Sequence, residues 1–499
     1  MKNLLEISKL VSKKRVKKIE IFDEYNLSVK NSKFNEFYEA LQNGLFQSDK
    51  EAAEYLYQCE PTDDRYRQLK SRFRKRLLNT LFFLDVNTPD ASNYSRAYFS
   101  CQKEWAVVKI LEINDATDSA ETIARQIFVT AQKFQFADVM VDAARILRQF
   151  AAENGRAKEY EEYDNQLKIY KNVLEAEIRS EEFYQRARLS FSQGDESTLC
   201  AHIDTFCDAL ASLNGMYQSS VIQYNTLLMQ SIRAVMLRQF QNVIIIAQEA
   251  ETYMKAHPNF YRQDISDILE SSKMNAYLHL RGYRNGKTAY EKLMSVNEEG
   301  TNFWFNVNHY YFLLCMHTEN YIPAAGILNK ILTHPLFKKL KIEIKEFWLL
   351  AEAYINLMIE IYGAESVILR RQTRRTFKWS EFLGRDVDSK LEPALYAQRT
   401  LIKLLHFVET KKLVLVAGVM DDLKNETKKN LKSDVSTRFI VFLRLMQSFE
   451  KVSFKPSEIN AERFIYKLQQ TSFFYQENLA ELEVIRFEVL WKIINLCCK

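Results

Sequence analysis

The chain has 499 residues, of which 69 are basic and 64 acidic, for a formal charge of +5. That near-balance excludes a protein that coats nucleic acid by charge alone. With 11 glycines and 7 prolines, the turn residues that an all-β or α/β fold needs are too few. Hydrophobic residues at 47% and aromatics at 13% are ample for a buried core.

The N-terminus, MKNLLEISKLVSKKRVKK, is basic but its apolar run is broken by Glu6, so it lacks a signal-peptide core. KKIEIF, just beyond, is the one short strand signal, too solitary to found a sheet. From Thr62 an apolar stripe runs Tyr66, Leu69, Phe73, Leu77, Leu81, Leu84, after a PTDD that offers a capping hydroxyl and first-turn acids. The same stretch contains RYRQLKSRFRKR, Arg65 to Arg76, basic with no acid. On a helical wheel its charges spread around the circumference, so it is expected to be a solvated surface paired with acids such as those of 159–182. Arg67 and Arg74 are its candidate anion contacts. LLNTLFFL, which follows, should carry the helix into the interior.

Further helices are expected at 92–114, 117–134, 136–154 and 156–189, the last one long. SQGDEST, Ser192 to Thr198, breaks the pattern. Then come helices at 197–213, 217–238, 240–256, 263–281, 283–297, 302–319, 321–333 and 338–361. A second irregular stretch runs from Gly363 to about Lys390, and four or five helices close the chain. These readings group as an N-terminal helical segment 1–60, hairpins over 61–191, central repeats over 197–361, an irregular basic loop 362–390 and C-terminal hairpins 391–499.

Three of the expected second helices begin alike, in RQFQNVIIIAQEAETY, RGYRNGKTAYEKLMS and ENYIPAAGILNKILTHP. Each has a polar turn, an aromatic (Phe240, Tyr283, Tyr321) and then an amphipathic run. Tyr321 is followed by Ala324, Leu328 and Pro335, Tyr283 by Gly286 and Tyr290, and Phe240 by Val243 and Ala247. This resembles tetratricopeptide repeats, with aromatic spacings that exceed the family's period of about 34 residues, and with a departure in the first copy, where Val243 and Ala247 stand in place of an alanine and a large residue. Small residues are required where the two helices of a hairpin cross closely. The chain as a whole also looks like a bacterial family of helical-repeat proteins to which no activity is attached, through SRFRKRLLNTLFFLD, KWSEFLGRD and EVIRFEVLWKIIN. The fold expected is therefore all-α, a right-handed α-solenoid of degenerate tetratricopeptide-like helical hairpins.

The resemblance implies that first helices line a groove in which asparagines hold an extended peptide. Asn302, Trp304, Asn306, Asn308 and His309, in TNFWFNVNHYYFLL, are the candidate groove residues, with a core reading of the aromatics beside it. Arg370, Arg371, Arg374, Arg375 and Lys378, next to Phe377 and Trp379, are further candidate anion contacts, since arginine beside an aromatic can grip phosphate or stack on a base. Seven cysteines form neither a disulfide framework nor metal knuckles, which suits a reducing cytoplasm. Histidines 202, 257, 279, 309, 317, 334 and 406 stand isolated in sequence, and Cys315 with His317 is a poor zinc pair. No P-loop, HExxH, GxSxG or dinucleotide signature occurs, and no stretch is long enough to cross a bilayer. The expected function is a non-catalytic scaffold or adaptor that binds a protein or peptide without cofactor, metal or membrane. The alternative is a nucleic-acid-associated regulator using the two basic clusters.

Overall fold

The computed structural model describes residue 4 and residues 32–43, 45–46, 48–81, 93–192, 196–373, 376–385, 393–430, 437–476 and 482–497. Every regular element among them is helical, and none of these helices is long and apolar enough to cross a membrane. KKIEIF and most of segment 1–60 lie outside the described residues. By contact the chain divides into two compact units. One comprises residues 1–179, 217–220 and 254–262, and the other the remainder.

In the first unit, α1 (Lys33–Gln42), α2 (Asp49–Tyr57) and α3 (Asp64–Thr80) surround an aromatic core. Phe37 and Phe73 have ring centroids 4.7 Å apart, and Tyr66, Leu69 and Leu77 complete the stripe read from the sequence. Asp63, not Thr62, caps α3 by accepting from the Arg65 N–H at 2.8 Å. Leu77 is buried but Leu78 exposed, so the part of LLNTLFFL that is described stays at the surface on one side, and Leu84 lies outside the described residues. α4 (Asn93–Ile113), α5 (Thr117–Phe134) and α6 (Ala137–Glu153) then pack in succession. Ala120, Ala124 and Ala131 on α5 are fully buried and let its neighbours approach closely. The expected long helix is α7 (Ala157–Ser192), 36 unbroken residues. Its acids pair along unit 1: Glu159 with Arg125 and Arg156, Asp164 with Arg148 and Lys168.

In the second unit the helices are α8 (Glu196–Met216), α9 (Ser220–Met236), α10 (Phe240–Ala256), α11 (Gln263–Leu280), α12 (Tyr283–Val296), α13 (Asn302–His317), α14 (Tyr321–Leu332) and α15 (Ile342–Tyr362). α11 packs on α12 and α13, α12 on α13, α13 on α14, and α14 on α15. Phe240, Tyr283 and Tyr321 are each the first residue of their helix; the small Gly286 and Ala324 are buried as the crossing argument requires, and the bulkier Val243 of the departing copy is buried too. A methyl group built on Gly286 would sit 2.3 Å from Leu314 Cδ2 on α13.

The turns repeat one closure. Asp115, Gln135, Arg238, Arg281, Glu319 and Lys411 are left-handed, with φ between 54° and 59°. The next residue's N–H reaches back to the last helical turn: Ala116 to Leu111 O, Phe136 to Ala131 O, Gln239 to Ala234 O, Gly282 to Tyr277 O, Asn320 to Cys315 O and Lys412 to Phe407 O. This is the Schellman bond, and it satisfies carbonyls a helix end would leave orphaned. Polar residues fill a position that glycine usually takes, which contributes to the low glycine count.

The stretch read as irregular from Gly363 to Lys390 is partly helical. A 3-10 turn (Gly363–Ser366) leads into α16 (Val367–Gln372), and α17 (Trp379–Gly384) follows. Buried Leu369 and Phe382 anchor these short helices, a signal that the surrounding arginines obscure. α18 (Pro393–Glu409), α19 (Leu413–Asn430), α20 (Thr437–Lys451), α21 (Glu462–Gln470) and α22 (Phe487–Cys497) close the described chain.

Candidate functional site

The candidate groove residues all lie on α13, but they do not share an open face. Asn302 is exposed and Asn306 half-buried. Trp304 and Asn308 are fully buried. Asn308 donates to Trp304 O at 2.7 Å and accepts from the Tyr290 hydroxyl at 2.9 Å, so its amide serves the core. His309 packs 4.2 Å from Phe347 between ring centroids, and its Nε2 meets the Tyr475 hydroxyl at 3.0 Å. The cause is that α13 is apolar on every side, and such a helix is enclosed by its neighbours.

Residues 471–476, which follow α21, lie against α11 and α13 instead. The Asn275 amide donates to Tyr475 O at 3.2 Å, and the Tyr475 N–H donates to His279 Nε2 at 3.0 Å. Both main-chain groups of one residue are thus held by side chains. Burial pushes His279 down to about 4, and His309 and His317 down to about 3. All three are neutral imidazoles at physiological pH, as packing partners should be. Cys315 and His317 are both buried, and His317 Nε2 meets Glu483 O at 2.5 Å, so this ring nitrogen serves a main-chain contact.

On α3, Arg65 pairs with Asp63, Arg67 with Asp64 and Lys70 with Asp49. The acids therefore come from α2 and the helix start, not from 159–182. Burial opposes ionisation of Asp49, yet hydrogen bonds from Lys70 and Tyr66 hold its carboxyl down at about 2. Arg72, Arg74 and Lys75 meet no acid among the described residues. On α16, Arg370 and Arg371 are exposed, and Lys378 pairs with Glu381. Arg374 and Arg375 lie outside the described residues. Trp379 is not presented for stacking, because one face of its indole already covers the His406 ring at 3.9 Å between centroids, nearly parallel at 17°.

That contact belongs to a cluster sequence reading missed. Glu360 near the end of α15, and His406 and Glu409 in the last turn of α18, bring one donor atom each to within 4.8 Å of one another. The Trp379 Nε1–H donates to Glu360 Oε1 at 2.6 Å. Glu360 Oε2 lies 3.6 Å from His406 Nδ1, and neither atom has a hydrogen-bond partner although both are buried. Burial, reinforced by the charge of Glu360, raises the Glu409 carboxyl above its ordinary range. The sequence hint was the HFVE spacing, which sets His406 and Glu409 on one helix face.

A different polar cluster is structural. Arg438 on α20 bonds Glu483 and Glu488 and the carbonyls of Leu468 and Thr471, while the Phe487 N–H donates to Glu483 Oε2. Glu483 and Glu488 more than offset the burial penalty and hold the Arg438 charge firmly.

No family model, curated protein or solved structure matches the chain.

Proposed function

We propose that this protein is a non-catalytic interaction scaffold that binds another protein through its helix faces. The finer architecture belongs to the same reading: a right-handed α-solenoid of degenerate tetratricopeptide-like hairpins, of the bacterial helical-repeat kind, working in the cytoplasm. The observation that supports a protein partner is α4. It buries Cys101 and Val108, yet Val107, Ile110 and Ile113 stand exposed on another side, Ile113 at 82%. A helix apolar on a second face offers that face to a partner's apolar side chains.

The test is affinity capture from the native cell with and without nuclease. A partner retained after nuclease and lost with Val107→Ser, Ile110→Ser and Ile113→Ser together, in a variant whose melting is unchanged, supports the scaffold. The nucleic-acid alternative draws on exposed Arg74, Arg370 and Arg371 and on Arg67. It requires instead that capture vanish with nuclease, weaken steeply between low and physiological salt, and be abolished by charge reversal of those arginines. A full set of partners untouched by either group of changes overturns both readings.

A further inference from the structure

We propose that Glu360, His406 and Glu409 form a binding site for a divalent transition-metal cation, which would tie the end of α15 to the end of α18.

The donor set is the first ground. One imidazole nitrogen and two carboxylates are the ligand types of zinc, manganese, iron and cobalt sites, whereas magnesium and calcium take oxygen alone. His406 and Glu409 are three residues apart on α18, so the helix itself aims both the same way. Glu360 approaches from a second element, which a chelate needs if it is to hold two helices.

Geometry is the second ground. His406 is 6% exposed and its Nδ1 has no hydrogen-bond partner, nor does the buried Glu360 Oε2 that faces it. Unpaired buried polar atoms are costly, and a native structure retains few of them. Their separation of 3.6 Å is too long for a hydrogen bond, which spans roughly 2.7–3.2 Å. It is close to the ligand-to-ligand edge of about 3.4 Å that metal bonds of about 2.0–2.2 Å make in a tetrahedron.

The surroundings supply the third. Trp379 donates to Glu360 Oε1 and so leaves Oε2 as the available lone pairs, while its indole lies flat on the His406 ring and fixes its plane. Outer partners of this kind orient ligands in metal sites. Neither carboxylate pairs with a lysine or arginine among the described residues, so two acids stand side by side where a dication would balance them. Glu360 is 34% exposed in its side chain, so the cluster lies close to the surface.

The test is calorimetric titration of the chelator-stripped, reduced full chain with zinc, and then with manganese and magnesium. The site predicts saturable binding of one zinc per chain and a rise in melting temperature on loading. Glu360→Gln and Glu409→Gln should each weaken that binding at least tenfold, and His406→Gln should remove it. Trp379→Phe, which keeps the stacked ring and deletes the N–H, should cost about tenfold. Cys200→Ser, which removes an exposed thiol elsewhere, should change nothing. Circular dichroism checks each variant, and because Glu360 is partly exposed its amide form keeps the test readable should His406→Gln fail to fold. Absence of a saturable equivalent in the wild type, equal zinc binding by the wild type and the Glu360→Gln and Glu409→Gln variants, or displacement of zinc by an equal concentration of magnesium would each overturn the assignment.

Discussion

Arg438 and Glu483 meet as guanidinium and carboxylate with almost no solvent on either, 7% and 2% exposed, and Glu488 closes the same guanidinium from the other side. Removing the cation strands Glu483 in the interior, while Glu488 keeps Arg486. Arg438→Met should therefore cost about 3–5 kcal/mol in a urea unfolding series, and Arg438→Met with Glu483→Met should recover part of that loss, because it removes the buried carboxylate left without a cation while Glu488 keeps Arg486. A loss below 1 kcal/mol for the single change would contradict the buried network.

Stability should fall as the solution is acidified through the range between pH 6.5 and 4. His279, His309 and His317 are depressed to about 4, 3 and 3, against 6.5 for the free side chain. In that window the unfolded chain binds protons that the folded chain refuses. The contribution is fully present above pH 6.5 and is lost as pH falls toward the folded values. Each histidine adds a slope of up to about 1.4 kcal/mol per pH unit. Denaturant midpoints across pH 4–7 measure it, and His317→Gln should flatten the curve by about one proton.

Gly286→Val should destabilise the fold by about 1–3 kcal/mol, since even the first added carbon would meet Leu314 in a filled core. A neutral result would mean that α12 and α13 can separate at this crossing. Gly282→Ala makes a sound comparison, as its added carbon would lie at an ordinary 3.4 Å from Tyr277.

The left-handed turn residues predict the opposite sign. Arg281→Gly and Glu319→Gly should each stabilise by about 1 kcal/mol, because an L side chain at φ near 55° carries a steric penalty that glycine escapes. Thermal melting of the two variants, singly and combined, reads the gain, and a combined loss would show that those side chains contribute more than strain.

Much of the helical content was legible because apolar spacing is local. Phe240, Tyr283 and Tyr321 mark true helix starts, and the Tyr66 to Leu77 stripe is the face that α3 buries. Side-chain roles were legible only where neighbours were already fixed. Asn308 and Trp304 read as groove residues by family likeness, yet the apolar residues all around α13 were the better guide to their burial. Glu360 reaches His406 across two helices distant in sequence, and Arg438 reaches Glu483 likewise, so neither pairing has a local signature. Lys70 found Asp49 instead of an acid of α7 for the same reason.

The repeated turn closure fits a chain in which the helix-starting aromatics Phe240, Tyr283 and Tyr321 are unevenly spaced. What recurs is a corner, bent the same way after six of the described helices, while rod length is left to drift. Such a molecule can gain or lose a helical turn between corners and keep every joint intact, so its regularity is carried by hinges of constant shape and not by any constant count of residues.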